Sequence, residues 1–193
     1  CLYRLHHDGC MPMHRTATEL TVDAVNACRD GLLDEDWAAE LLASDRLPLH
    51  HVRRHGESDA DDLVATMRQL AWELGPVFSA GDAAVAAERL NALLATVNVQ
   101  ISVSIGDAWA PHLHFDAHDD GLAERLRVNC LVSIATVLVD PKGVLRVGEC
   151  ASLACTHVFV DFSRSGRQRF CSRRCATRSH VSAHRARAVV ARR

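Results

Sequence analysis

Apolar positions recur along this chain with two different periods, and the change between them marks its organisation. Over residues 16–31, Leu20, Ala24, Ala27 and Cys28 fall three or four apart, the spacing that collects side chains on one face of an α-helix. Asp34 stands where an N-cap belongs, ahead of a second helix predicted over 35–44, in which Trp37, Leu41 and Leu42 share a face. A polar, basic link follows (LPLHHVRRHGE). Ser58, with Asp61 three residues on, opens the longest predicted helix in the manner of a capping box. Its apolar positions are Leu63, Met67, Leu70, Trp72, Leu74 and Phe78, and Pro76 is expected to end or bend it. Gly81-Asp82 starts a further helix carrying Val85, Leu90, Leu93, Leu94 and Val97.

The period then shortens to two. Val99, Ile101, Val103 and Ile105 alternate with Gln100, Ser102 and Ser104, the pattern of a half-buried strand. After a loop at Gly106-Asp107, His112–Ala117 is the expected returning strand of a hairpin. Asp119 or Asp120 is the expected cap of a helix over 121–139, buried through Leu122, Leu126, Cys130, Ile134 and Leu138, and Pro141-Lys142-Gly143 closes it as a turn. The body, residues 16–142, therefore reads as mainly α with one small β-hairpin. Residues 1–15 are expected to be disordered, and 143–193 to form a separate small module.

Composition supports a helical body, because aromatic residues are 5% of the chain and the core must rest on Leu, Val and Ala. Charge changes the picture more. The net charge is only −2, but residues 1–162 hold 12 basic and 24 acidic side chains, and residues 163–193 hold ten Arg and no acid. An acidic body with a basic arm suits a polyanionic partner; the alternative is an arm that folds back on its own body. The bias of 21 Arg to one Lys, Lys142, resembles the codon usage of a GC-rich genome, so arginine content alone is no argument. No apolar run is long enough to cross a membrane, and residues 1–15 lack the apolar core of a secretory signal, which makes a cytoplasmic, nucleoid-associated protein the expectation.

Four of the eight cysteines form two pairs near the end of the chain: Cys150 and Cys155, then Cys171 and Cys175. Four thiolates satisfy tetrahedral zinc in a closed structural site, and paired cysteines in a reducing compartment are more often ligands than disulfides. Residues i and i+4 share a helix face, so Cys171 and Cys175 fit the start of a helix. The first pair fits a knuckle after a short strand over Val144–Val147. Between the pairs, His157–Phe162 and Arg167–Phe170 are the expected arms of a hairpin around Ser163–Gly166. Knuckle, hairpin and helix make a treble-clef-like finger, too small to fold without its metal. One structural zinc ion is expected; disulfides and a chance cluster of thiols are the alternatives. Cys28 and Cys130 read as small core residues.

A helix over Ser172–Val189 would line Arg173, Thr177, His180, His184 and Arg187 along one stripe, and Arg174, Arg178, Val181, Arg185 and Arg192 along the next. Cys171, Cys175, Ser182, Ala186 and Val189 would face the metal. Arg164, Arg167 and Arg169 would extend the positive surface. Such a face meets phosphates, and arginine also reads guanine edges, so double-stranded DNA is the expected partner through Arg164, Arg167, Arg169, Arg173, Arg174, Arg178, His180, His184, Arg185 and Arg187. A solvated charged helix is the bland alternative, and the absence of any carboxylate over this stretch argues against it. Phe159, Phe162 and Phe170 are expected beneath the hairpin rather than stacking on bases.

With its centre reading VFVDFSRSGRQRFCSRRCATR, the segment Cys150–Arg187 resembles the CGNR-type zinc finger of bacterial proteins. The resemblance rests on the paired cysteines with Phe159, Asp161, Ser163, Gly166 and Arg169. It departs at Ala176-Thr177, where the family has Gly-Asn, and at Phe170, where it has Trp. The resemblance implies a helical ABATE-like domain ahead of the finger and a role as a stress-induced transcription regulator. A homodimer and a small-molecule effector bound by the body fit such a role. The pair His112 and His114, with His50, His51, His55 and His118, could hold a ligand but reads more simply as surface histidine. No nucleophile elbow, P-loop or dinucleotide fingerprint is present, so an enzyme is not expected. A protein-interaction module and a redox-responsive zinc switch are the rival functions.

Overall fold

A computed structural model describes residues 11–44, 60–105, 112–117, 121–142 and 146–190. Among these residues the chain is mainly helical with two small antiparallel hairpins. Helix α1 spans Met11–Asp30, starting before the expected residue 16. It buries Thr18, Leu20, Thr21, Ala24 and Val25. At its end Gly31 takes φ 71°, and Leu32 N–H and Gly31 N–H bond back to the carbonyls of Ala27 and Cys28, a left-handed cap that suits glycine.

Helix α2 (Glu35–Ala43) starts on the predicted cap, with Asp34 Oδ1 accepting from Trp37 N at 3.0 Å. The basic link and Ser58 lie outside the described residues. Helix α3 (Ala60–Phe78) carries Pro76 in its last turn and ends two residues later. Leu63, Met67, Leu70, Leu74, Val77 and Phe78 are buried, but Trp72 is 82% exposed. A helix advances about 100° per residue, so position 72 points away from the stripe through 63, 67, 70 and 74. Helix α4 (Ala83–Leu94) starts on Asp82, whose carboxylate accepts from Ala84 N and Val85 N.

Strands β1 (Val99–Ser104) and β2 (His112–Ala117) pair in the register Val99 to Ala117 through Ser104 to His112. Helix α5 (Leu122–Leu138) is the centre of the body, burying ten residues from Leu122 to Ile134. Gly121 occupies its N-cap position and makes no side-chain bond there, so the expected aspartate cap is replaced; Asp119 and Asp120 lie outside the described residues. Arg127 on α5 reaches Glu73 on α3 at 2.8 Å and Thr96 Oγ1 at 3.2 Å.

The finger follows as β3 (Val147–Glu149), β4 (Val158–Val160) and helix α6 (Arg173–Val190). Its hairpin differs from the expected one: β4 pairs with β3, Val147 opposite Val160, while Arg167–Phe170 is not a strand. Valine can bury on both faces here, and Val147, Val158 and Val160 join the same core cluster as Leu20, Val25, Leu70 and Leu131. The finger and the helical body thus share apolar packing.

Candidate metal centre and arginine face

Each cysteine is placed by a backbone device. The β3–β4 pairing brings the ends of the knuckle together, and Cys150 N donates to His157 O at 2.8 Å. A turn closed by Cys155 N to Ser152 O at 2.9 Å aims the second sulfur inward. Cys171 and Cys175 straddle the start of α6, where Ser172 Oγ accepts from Cys175 N at 3.3 Å. Ala151 N donates to Arg169 O at 2.8 Å, fastening the loop that leads into α6 onto the knuckle.

That loop is held by Asp161, which is fully buried. Its Oδ1 accepts from Ser163 N and its Oδ2 from Gln168 N, both at 2.8 Å. Gly166, at φ 58°, makes the reversal possible. Arg146 Nη1 donates to the carbonyls of Asp161 and Ser163, and its Nε to Asp140 Oδ1. Burial raises the pKa of Asp161, but the Ser163 and Gln168 hydrogen bonds and the Arg146 charge outweigh it and hold the carboxyl below its usual range.

The four sulfurs lie within 4.8 Å of one another, with Cys155 to Cys171 at 3.6 Å and Cys171 to Cys175 at 3.7 Å. A tetrahedron with metal–sulfur bonds of about 2.3 Å has edges of about 3.8 Å, so the spacing fits zinc. A disulfide needs about 2.05 Å, and all four thiols are free. The hydrogen bond with Ser172 lowers the Cys175 thiol to about 7, while burial pushes Cys155 and Cys171 up. Ionising Cys155 and Cys171 therefore needs the metal's charge, and its binding expels protons. Amides and the helix N-terminus favour the resulting anion: Cys171 N lies 3.5 Å from Cys150 Sγ, and Arg178 Nη2 lies 3.9 Å from Cys175 Sγ. The site holds one structural zinc ion.

All ten basic side chains expected at a nucleic-acid face are exposed: Arg164, Arg167, Arg169, Arg173, Arg174, Arg178, His180, His184, Arg185 and Arg187. The inner face expected of this helix stops early, because Ser182 is exposed and, between Thr177 and Arg185, only Ser179 is partly covered. The two stripes have different surroundings. His180 meets the Phe170 ring edge-on at 5.9 Å, and Arg169 stands 5.9 Å over the same ring. Arg174 and Arg178 instead line a cleft of about 690 Å³ that Glu19, Asp23 and Asp30 of α1 also line. Phe159 is buried as expected, whereas Phe162 is 38% exposed at that cleft.

Residues with no local signal complete the centre. Asn26, Arg29 and Asp30 of α1 grip the finger: Arg29 Nη1 donates to Thr156 O, Arg29 pairs with Glu149 at 2.9 Å, and His157 Nε2 lies 2.8 Å from Asp30 Oδ2. Asp161-Phe-Ser163 could have been read as an Asx turn, but contacts between residues 120 or more apart cannot be read from spacing. His114 enters no metal-type cluster among the described residues; His50, His51, His55 and His118 lie outside them.

No curated protein matches the chain. Residues 146–188, which hold all four cysteines and most of α6, match the family of CGNR zinc fingers.

Proposed function

We propose that this chain is a DNA-binding transcription regulator that works by binding rather than catalysis, in the cytoplasm and at the nucleoid. Zinc fixes the loop and the first turn of α6, and the exposed arginines of both meet the phosphates of duplex DNA. The observation that carries this reading is α6 itself: a helix with exposed Arg and His, no acid and so no i,i+4 ion pair. Arg174 and Arg178 repel at i,i+4, and Arg173 and Arg174 oppose the dipole in the first turn. Such a helix gains most from a polyanion.

In this reading the helical body is the ABATE-like sensing or dimerisation part. The cleft between α1 and the finger is where a small effector would sense both at once, since it touches α1, the zinc ligands and α6. The same cleft favours one rival, an arm held against its own acidic body. Fluorescence anisotropy with a labelled duplex at two salt concentrations separates them. Binding that weakens steeply with salt supports the DNA reading. Replacing Arg173, Arg174 and Arg178 together with Ala should weaken binding while zinc, with no competing chelator present, stays at one per chain. Unchanged affinity would remove α6 from the interface.

A further inference from the structure

The β1–β2 hairpin has an apolar face that the described residues do not bury. Val103 pairs with Leu113 and Ile101 with Phe115, which sets all four on one side of the sheet. Ile101 and Val103 are 64% and 63% exposed, Ile105 just beyond β1 is 76% exposed, and Leu113 is 45% exposed. The alternation that predicts a half-buried strand is thus present without a covering layer among the described residues.

Strand β1 is also an edge without the usual protection. Helix α5 lies against β2, where Asn129 Nδ2 donates to Phe115 O at 3.2 Å, but β1 pairs with β2 alone among the described residues. Natural edges are guarded by charge, Pro or a bulge. The segment Val99–Ile105 has no charged residue, no Pro and no Gly, in a body where acids outnumber bases two to one.

The sequence of that segment is complementary to itself. Laid antiparallel against a second copy about Ser102, it sets Val99 opposite Ile105, Gln100 opposite Ser104 and Ile101 opposite Val103. Apolar positions meet apolar ones, polar meet polar, and no like charges face each other. A slip of one residue would set every apolar position against a polar one. We propose that β1 is a dimerisation strand, joining two copies edge to edge about a two-fold axis at Ser102 into a four-stranded sheet. The pairing is isologous and closes on itself, so it ends at the dimer. It also relates two α6 helices by a two-fold axis, the symmetry of a palindromic duplex site.

The contact does not depend on DNA and is tested without it. Sedimentation equilibrium of the full zinc-loaded chain at tens of micromolar should give a dimer. Ser102 is exposed, so its replacement leaves the monomer intact, which far-UV circular dichroism and zinc content verify. Ser102→Asp and Ser102→Lys each set like charges directly opposite across the axis, and each should shift the protein to monomer. An equimolar mixture of the two should restore the dimer. Ser102→Cys should cross-link on mild oxidation, whereas Gln100→Cys, opposite residue 104, should cross-link no more than wild type. A monomeric wild type overturns the proposal. So does a dimer that is indifferent to both charges, or one that Ser102→Cys fails to trap.

Discussion

Asn26 gives both ends of its side-chain amide to one residue of the finger, donating from Nδ2 to Val158 O at 3.1 Å and accepting from Val158 N at 2.8 Å. Val158 is fully buried, and its side chain sits in the core shared with α1. The amide therefore continues the backbone pairing of β4 where no third strand exists among the described residues. Asn26→Ala leaves two backbone groups of a buried residue without partners, which costs about 1–3 kcal/mol each. Chemical denaturation should show a loss of about 2–6 kcal/mol for the pair. Zinc content should stay at one per chain, because no ligand is touched. An unchanged midpoint would mean that water replaces the amide without loss.

Removing zinc tests the centre and its link to the body. Cys171→Ser takes away a sulfur that lies within 3.7 Å of both Cys155 and Cys175. Metal analysis should fall from one zinc per chain towards none, and far-UV circular dichroism should lose the signal of α6. Because Val147, Val158 and Val160 pack into the common core, the thermal midpoint of the body should fall as well. A body that melts at the wild-type temperature would show that the finger's valines add nothing to it.

Asp161 predicts a pH dependence with a definite sign. Its carboxyl is held below the usual range when folded, so its contribution is present above the unfolded value of about 3.9 and is lost as pH falls through the folded one. Asp161→Asn keeps the shape but offers one acceptor oxygen, leaving either Ser163 N or Gln168 N unserved. At neutral pH it should cost about 1–3 kcal/mol. The gap between wild type and variant should begin to narrow as pH falls below about 3.9 and close only under the lower folded value, where both side chains are neutral. Taking the difference cancels the loss of zinc that acid causes in both proteins. A gap constant with pH would mean that the ionised form is not what holds the loop.

What the sequence made legible was local. Helix faces, the Asp34 and Asp82 caps, the β1–β2 hairpin and the four zinc ligands follow from spacing within some twenty-five residues. Partner choice was not legible: a three-residue strand such as β4 carries no mark saying that it pairs back to β3 rather than on to Arg167–Phe170. Trp72 and Phe162 show a related limit, since apolar character does not state which side of an element a neighbour will cover. The grip of Asn26, Arg29 and Asp30 on the finger joins residues 120 or more apart and leaves no periodic trace.

The two arginine stripes of α6 make the sharpest test of the DNA reading. Arg173 and Arg169 belong to the side where the Phe170 ring meets both Arg169 and His180. Arg174 and Arg178 share their cleft with carboxylates on α1, which repel a phosphate backbone approaching there. Arg169→Ala and Arg173→Ala should each weaken duplex binding and lower the salt slope by about one. Arg174→Ala should do less. Arg178→Ala should act mainly on the metal, because its guanidinium faces Cys175 Sγ at 3.9 Å, and zinc should leave it faster to a competing chelator. Equal losses from Arg173→Ala and Arg174→Ala would place the duplex across both stripes and move the carboxylates of α1 out of its path.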